Sequence, residues 1–238
     1  MVIPARAQSG KLAEAAHVLS RLGLVTAYGH VSARVGASML ITPAADLATV
    51  TESAIVEVPL AATVLPRGAP AEGWAHLALY RARPGTAAIA RAQPASALAA
   101  AAVTTSLPVL HGQAAWLGES VPVHDSAALL RSAELAERAA GSLPTGEALI
   151  LRGNGALTLG ATPGLAVARM WLLSASCDVF LAALVGGQVT PLSAAEVASW
   201  RDAGGELLPR LWQHLRRRAD QAAQQSSTCP GHHGPQPA

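Results

Sequence analysis

Hydrophobic and polar positions along this chain follow two periods, one typical of helices and one typical of strands. Apolar residues recur at helical spacing in five segments, at residues 12–22, 72–82, 126–140, 163–184 and 194–218. Short apolar runs bounded by turn residues predict strands at residues 39–43, 54–58, 86–91, 148–152 and 156–159. This alternation of helices, strands and hairpins predicts an α/β fold, a three-layer α/β/α domain with a central mixed sheet.

Turn and cap residues refine these boundaries. Gly23 suits the end of the first helix, and Asp125 or Ser126 is expected to cap the helix over residues 126–140. Pro94 is expected to open another helix, since proline is favoured in the first turn. The glycines on either side of Asn154 predict a tight turn between two strands.

The composition predicts one domain. The chain has 238 residues, of which 51% are apolar, enough for a single buried core over residues 1–220. Residues 221–238 are rich in Gln, Ser, Gly, Pro and His, which is typical of a disordered tail.

Charge and cysteine usage limit the partners and the compartment. A net charge of +2 provides no large field for nucleic acid. The most apolar window, residues 164–185, contains Arg169 and Asp178, which are costly at membrane depth, so we expect a buried helix and no membrane partner. The two cysteines form no disulfide framework, and residues 1–10 lack the charged-then-apolar pattern of a secretory leader, so we expect a cytoplasmic location.

Lys11 is the only lysine, which argues against an imine-forming mechanism.

Four motifs occur in an order that resembles the class II aldolase/adducin family. The first is Gly-His-Val-Ser-Ala-Arg at residues 29–34 followed by Leu-Ile-Thr-Pro at residues 40–43. The second is Glu72 and His76 followed by Tyr-Arg-Ala-Arg-Pro at residues 80–84. The third is the segment at residues 83–94, and the fourth is Leu-Arg-Gly-Asn-Gly at residues 151–155 with Gly160. The resemblance implies a nine-stranded α/β/α fold, commonly a fourfold-symmetric homotetramer, with active sites where subunits meet. It also implies a divalent metal cofactor, zinc or manganese by family default.

The metal-ligand positions of that family are replaced in this chain. Two strand histidines correspond to Arg91 and Gln93, and a third histidine corresponds to Asn154. Arginine offers no lone pair, and amide oxygens are weak zinc ligands, so we predict no metal and no other cofactor at this location.

Arg91 can be interpreted in two ways. A guanidinium beside the amides of Gln93 and Asn154 could bind a substrate carboxylate bidentately and stabilise an anionic oxygen without metal. Alternatively, Arg91 pairs with a core acid, with Glu72 as the candidate, and the amides are satisfied polar groups.

The resemblance assigns further site residues. Glu72 matches the family's catalytic acid/base, although an acid at a helix N-terminus is common for electrostatic reasons. His30 is a second proton donor candidate or a structural histidine in a turn, while His76 is expected to pack. Thr42 matches a substrate-binding position, but the neighbouring serines and glycine of a phosphate cradle are missing, which disfavours a sugar phosphate.

His111 and Trp116 form a further polar and aromatic pair, which lines a pocket or packs a loop.

Three functional hypotheses follow. The first is a carbon–carbon lyase on a small non-phosphorylated carboxylate, with decarboxylation of a hydroxylated aromatic acid or a keto acid as its favoured form. A fainter resemblance to dihydroxyphthalate-decarboxylase-like members, at residues 91–94 and 152–155, points to the catabolism of aromatic compounds. The second is a non-catalytic adducin-like assembly module. The third is a retro-aldol lyase with a relocated divalent metal, bound by Glu72 with His30, His76 or His111.

Overall fold

A computed structural model describes residues 5–227 and shows a mixed sheet covered by helices on both faces. Its strands are β1 (His30–Val35), β2 (Ser38–Ile41), β3 (Val56–Pro59), β4 (Ala88–Ala92), β5 (Ser106–Pro108), β6 (Ser120–His124), β7 (Ala148–Leu151) and β8 (Gly155–Gly160). They lie in the order β3-β2-β1-β4-β8-β7-β6-β5, and only the β6 and β7 pair is parallel. The predicted α/β fold with a mixed sheet is confirmed, with eight strands in the described residues where the resemblance implied nine.

The sheet separates two apolar clusters, and a different set of helices covers each one. The helices are α1 (Ala5–Arg21), α2 (Gly73–Ala82), α3 (Ala95–Ala100), α4 (Ala133–Gly141), α5 (Pro163–Val185) and α6 (Ala194–Ser227). Helices α2 and α4 share one apolar cluster with one face of the sheet, while α1, α3, α5 and α6 share the other. α6 extends to Ser227, so residues 221–227 are helical, and the rest of the predicted tail lies outside the described residues.

Helix α4 is shorter than the pattern predicted. It begins at residue 133 with the Ser132 side chain accepting a hydrogen bond from the Leu135 amide, so neither Asp125 nor Ser126 caps it. The preceding segment is held by tertiary contacts instead, since the Leu130 amide donates to Glu72 and cannot take part in a helix. The predicted start of this helix at residue 126 was wrong because Glu72, which binds the Leu130 amide, lies far away in the sequence.

Strand alternation places a row of polar residues on the α2 side of the sheet. On β1, His30, Ser32 and Arg34 point to one face because successive side chains alternate. His30 is the register partner of Arg91 on β4, and Ser32 is the partner of Ile89, which belongs to the α2 and α4 cluster. The candidate site therefore lies between the sheet and α2.

Helix α5 is long and apolar enough to cross a membrane by length and composition alone. Half of its most apolar window is buried inside the protein, where it packs on β4, β8, α1 and α3. These contacts agree with the expected core helix.

Helix α6 is held to the body by tryptophans that pack on glycines. The Trp116 ring covers Gly204, the Trp200 ring covers Gly112, and the Trp116 indole nitrogen donates to the Trp200 carbonyl at 2.8 Å. A Cβ atom at residue 204 would lie 2.9 Å from the buried Trp116 ring, whereas a Cβ at Gly205 meets no atom within 4 Å.

We predict that Gly204→Ala and Gly205→Ala have opposite effects on the free energy of unfolding. Alanine gains about 1 kcal/mol over glycine within a helix, and overpacking costs about 1–3 kcal/mol. Gly205→Ala should therefore stabilise by about 1 kcal/mol, while Gly204→Ala should destabilise by about 1 kcal/mol. Urea denaturation of both variants measures the difference, and equal stabilisation by both would show that Trp116 does not pack as described.

Candidate active site

A buried ion pair lies at the centre of the candidate site. The Nη2 atom of Arg91 is 2.8 Å from Oε2 of Glu72, and the two side chains are 3% and 11% exposed. Arg91 comes from β4, and Glu72 from the residue that precedes α2. Glu72 does not cap its own helix with its side chain. Its carboxylate is therefore committed to the site and not to the helix.

Asn154 completes a closed cluster with this pair. Its Oδ1 atom accepts from Arg91 Nη2 at 2.6 Å, and its Nδ2 atom donates to Glu72 Oε1 at 2.9 Å. Its carbonyl also accepts from Arg91 Nη2 at 3.1 Å, and the Leu130 amide donates to Glu72 Oε1 at 3.2 Å. The predicted turn between β7 and β8 presents Asn154, because the left-handed backbone of Gly153 and Gly155 allows the tight reversal.

Arg91 pairs with Glu72, the core acid named in the second interpretation of this arginine. The guanidinium is neutralised by a protein carboxylate and is 2% exposed as a residue. A substrate carboxylate therefore does not meet a free bidentate fork on Arg91, because the Nη2 atom is already bound to protein acceptors. The Nη1 atom is buried and has no hydrogen-bonding partner in the described structure.

Three buried polar atoms around this pair have no hydrogen-bonding partner in the described structure. They are Nη1 of Arg91, Nδ1 of His30 and Nε2 of His76. His30 faces Arg91 across the β1 and β4 register, and the His30 and His76 rings are 5.9 Å apart, edge to face. An unsatisfied buried polar group costs about 1–3 kcal/mol, so three in one place require an explanation beyond packing.

Both histidines are held in the neutral form. Burial lowers the pKa of His30 to about 4, and the nearby Arg91 acts in the same direction, while Glu72 opposes the shift. Burial likewise lowers the pKa of His76 well below its ordinary value, with His30 and Arg91 acting in the same direction. A neutral imidazole has one donor and one acceptor nitrogen, so the free nitrogen of each histidine can donate or accept a hydrogen bond according to the tautomer.

A hydrogen-bonded chain leads from this site into the core, and sequence reasoning missed it. Ser32 Oγ shares hydrogen bonds with His76 Nδ1 at 2.7 Å and with Tyr80 Oη at 2.8 Å. The guanidinium of Arg34 then lies 5.0 Å from the centre of the Tyr80 ring. The signal was present in the sequence, since residues 72, 76 and 80 share one face of α2 and residues 30, 32 and 34 share one face of β1.

The other predicted substrate residues lie outside this cluster. Gln93 is half-buried, and its side chain packs against Gly155. Thr42 is fully buried, and its hydroxyl accepts from the Val31 amide at 3.1 Å. His111 shares a 3.0 Å hydrogen bond with Ser176 of α5, on the side of the sheet away from Arg91, and Trp116 packs under α6.

These residues do not fit the metal that the resemblance implies. A permanently cationic, buried guanidinium occupies one ligand position, and Asn154 is already bound to both members of the ion pair. Within residues 5–227, no group of three or more His, Cys, Asp or Glu is placed to hold a metal ion. The hypothesis of a relocated metal therefore finds no ligand set in that part of the chain.

Comparisons with known proteins agree with the motifs and the fold. The sequence profile of the Class II Aldolase and Adducin N-terminal domain matches residues 10–181. The structure is similar to L-fuculose-1-phosphate aldolase from Thermus thermophilus, with 27% identity, 78% of this chain and 100% of that chain covered, and a TM-score of 0.70. A search of curated protein sequences finds no match.

Two more distant structures share the fold. An aldolase II superfamily protein from Pseudomonas syringae is 22% identical, with 93% of this chain and 95% of that chain covered and a TM-score of 0.77. YgbL from Escherichia coli, whose description leaves aldolase, epimerase and decarboxylase activity open, is 19% identical, with 83% of this chain and 99% of that chain covered and a TM-score of 0.73.

We predict that Glu72→Gln strongly destabilises the protein. The substitution leaves the Arg91 charge buried without a counterion, which costs about 3–5 kcal/mol, toward the lower end here because Asn154 still accepts from Arg91. The matched control is Glu134→Gln, which breaks an exposed pair with Arg138 and should change the free energy of unfolding by less than about 0.5 kcal/mol. Similar losses in both variants, measured by urea denaturation, would contradict the structural role of the buried pair.

We predict that His30 makes the protein less stable as the pH falls from 6.5 to about 4, the ordinary and the folded-state pKa values. In that window the unfolded chain binds a proton that the folded protein excludes. The free energy of unfolding therefore falls by on the order of 3 kcal/mol between pH 6.5 and about pH 4. His30→Gln should remove this part of the pH dependence.

The measurement is the free energy of unfolding at several pH values, with the exposed His214→Gln as the control. If His30→Gln and His214→Gln keep the same slope as the unmodified protein, His30 is not buried in the neutral form.

Proposed function

This chain belongs to the class II aldolase and adducin N-terminal domain family, and from that premise we propose that it is a metal-independent carbon–carbon lyase. Its proposed substrate is a small non-phosphorylated carboxylate. The favoured reaction is decarboxylation of a hydroxylated aromatic acid, of the dihydroxyphthalate type, or of a keto acid.

The observation that carries the proposal is the group of three unpartnered buried atoms beside Glu72. Arg91 Nη1 is a cationic donor, and the free nitrogens of His30 and His76 belong to neutral imidazoles. A fold kept only for assembly gains nothing from such costly groups, whereas a reaction that passes through an anionic intermediate uses them. Preorganised donors that need not reorient are the main source of such stabilisation.

The proposed reaction assigns a step to each group. Cleavage of the bond to the carboxylate releases carbon dioxide and leaves the electron pair on the substrate carbon, with its charge delocalised onto an oxygen. Arg91 Nη1 stabilises that oxygen, and a proton then replaces the lost group on carbon. We propose that Glu72, an ionised carboxylate beside Arg91 that is partly open to solvent, first takes this proton from a solvent water or a substrate hydroxyl and then delivers it to the carbon, with His30 as the second candidate.

The absence of a phosphate cradle supports a non-phosphorylated substrate. The Thr42 side chain is fully buried and its hydroxyl accepts from the Val31 amide, and the residues that follow it are Pro43, Ala44 and Ala45. Pro70 and Ala71 stand where the resemblance expects serines. The relative from Thermus thermophilus is named for a sugar phosphate. We propose that this chain differs from it in substrate class while sharing its architecture.

One observation favours a second candidate, a non-catalytic adducin-like assembly module, and for either candidate we propose self-association as a homotetramer. Arg91 is neutralised by Glu72, so the charge that would attract a substrate is already balanced within the protein. In this alternative the ion pair is a structural replacement for the metal.

We predict that the purified protein releases carbon dioxide or an aldehyde from at least one member of a panel of hydroxylated aromatic acids and keto acids. Arg91→Gln should lower kcat by at least about 100-fold, the scale of losing one oxyanion donor. The matched control is Arg152→Gln, which removes a half-exposed arginine paired with Asp125 and should leave kcat unchanged. Treatment with a metal chelator should also leave kcat unchanged.

The outcomes separate the two candidates. No turnover over the whole panel, together with unchanged substrate binding by Arg91→Gln, would favour the assembly module. Turnover that a chelator abolishes and zinc or manganese restores would overturn the metal-independent mechanism.

A further inference from the structure

A cavity lies at the end of β4 and β8 opposite the candidate active site. Residues 83–86, which precede β4, and Gly160, which ends β8, line it, whereas Arg91 and Asn154 lie at the other end of the same two strands. The cavity has a volume of about 900 Å³ and is roofed by α6 through Gly204, Gly205 and Leu208. That helix lies beyond the family-matched region at residues 10–181.

The charged residues that line this cavity are three arginines and one glutamate. Arg83 and Arg169 share the carboxylate of Glu147 at 3.7 and 3.9 Å, which is beyond hydrogen-bonding distance for either atom pair. Arg201, the third arginine, pairs with Glu119 at 3.4 Å at the exposed rim. One carboxylate between two half-buried guanidiniums leaves an excess of positive charge.

The two inner arginines are fixed in place by the backbone and keep donors unused. Arg169 donates through Nε to the Trp116 carbonyl and through Nη1 to the Leu159 carbonyl, and Arg83 donates through Nη1 to the Gly146 carbonyl. Among the hydrogen bonds of residues 5–227, none uses Nη2 of Arg169 or Nε of Arg83, and Nη2 of Arg83 meets the Glu147 carboxylate only at 3.7 Å. Anchored guanidiniums with free donors are the usual recognition element for carboxylate and phosphate groups.

The walls of the cavity add an apolar surface to this charge. Trp116, Leu165 and Leu208 line it together with several prolines and glycines. Ligand sites commonly combine such apolar walls with a few fixed polar groups. We propose that this cavity binds a small organic dianion, with its oxyanion group on the free donors of Arg83 and Arg169 beside Glu147 and its apolar body under α6.

The test uses the full chain, with inorganic phosphate and phenyl phosphate as probes and calorimetric titration as the measurement. We expect saturable binding of one molecule per chain, tighter for phenyl phosphate because the ring is buried against Trp116, and no binding of phenol. A phosphate probe also separates this site from the proposed active site, which lacks a phosphate cradle.

A pair of variants at Gly205 avoids disturbing the backbone hydrogen bonds of the arginines. A side chain at this position has open space beside the cavity. Gly205→Glu places a competing carboxylate there and should weaken phenyl phosphate binding at least tenfold, whereas the isosteric Gly205→Gln should change it less than threefold. Light scattering checks that both variants keep the mass of the unmodified protein.

Three outcomes would overturn the proposal. The first is the absence of saturable binding of either phosphate probe. The second is equal weakening by Gly205→Glu and Gly205→Gln, which would show that charge does not matter. The third is a change of mass in Gly205→Glu without any phosphate binding, which would assign the cavity to contact between copies of the chain.

Discussion

The buried ion pair between Arg91 and Glu72 is the constraint on which the rest of the site depends. A charge in the core must be balanced and hydrogen-bonded, and each partner recruits a separate segment to do so. The Arg91 side chain binds the turn between β7 and β8 through Asn154, and Glu72 binds both that turn and the segment before α4 through the Leu130 amide. One pair therefore fixes the strand, the start of α2 and two loops.

Arg91 keeps a positive charge where the family resemblance implies a metal ion, but a guanidinium cannot perform the chemistry of a metal. A metal ion can exchange ligands and polarise a bound oxygen, whereas a guanidinium offers only donors in a fixed plane. Glu72 is bound to Nη2, and the buried Nη1 atom has no protein partner. A reaction at this site must therefore depend on stabilising an anion that forms during the reaction, since the resting charge is already balanced.

The sequence was sufficient for the fold and for the central residues because both depend on local patterns and ordered motifs. Helix and strand periodicity predicted most elements, and the motifs placed Glu72, Arg91 and Asn154 in one site. The sequence could not choose between a substrate and Glu72 as the partner of Arg91, because that choice depends on a distance across the fold. The start of α4 was mispredicted for the same reason, since the Leu130 amide is bound by Glu72.

The hydrogen-bonded chain through Ser32 and Tyr80 could be predicted only in part from the sequence. Two periodicities, one on β1 and one on α2, place these side chains on facing surfaces, but only the packing of the two elements makes them touch. The cavity under α6 could not be predicted from sequence patterns, because its arginines, its glutamate and the helix that covers it come from segments far apart in the sequence.

The two arginine-bearing sites lie at opposite ends of one buried strand pair, and they differ in how completely the charge is balanced. At one end each charge has its own partner at hydrogen-bonding distance, so an anion from solvent finds no free bidentate fork on Arg91. At the other end one carboxylate forms ion pairs with two guanidiniums at 3.7 and 3.9 Å and a hydrogen bond with neither. Binding of an anion from solvent is therefore favoured at the second site, because there it adds missing hydrogen bonds instead of displacing existing ones.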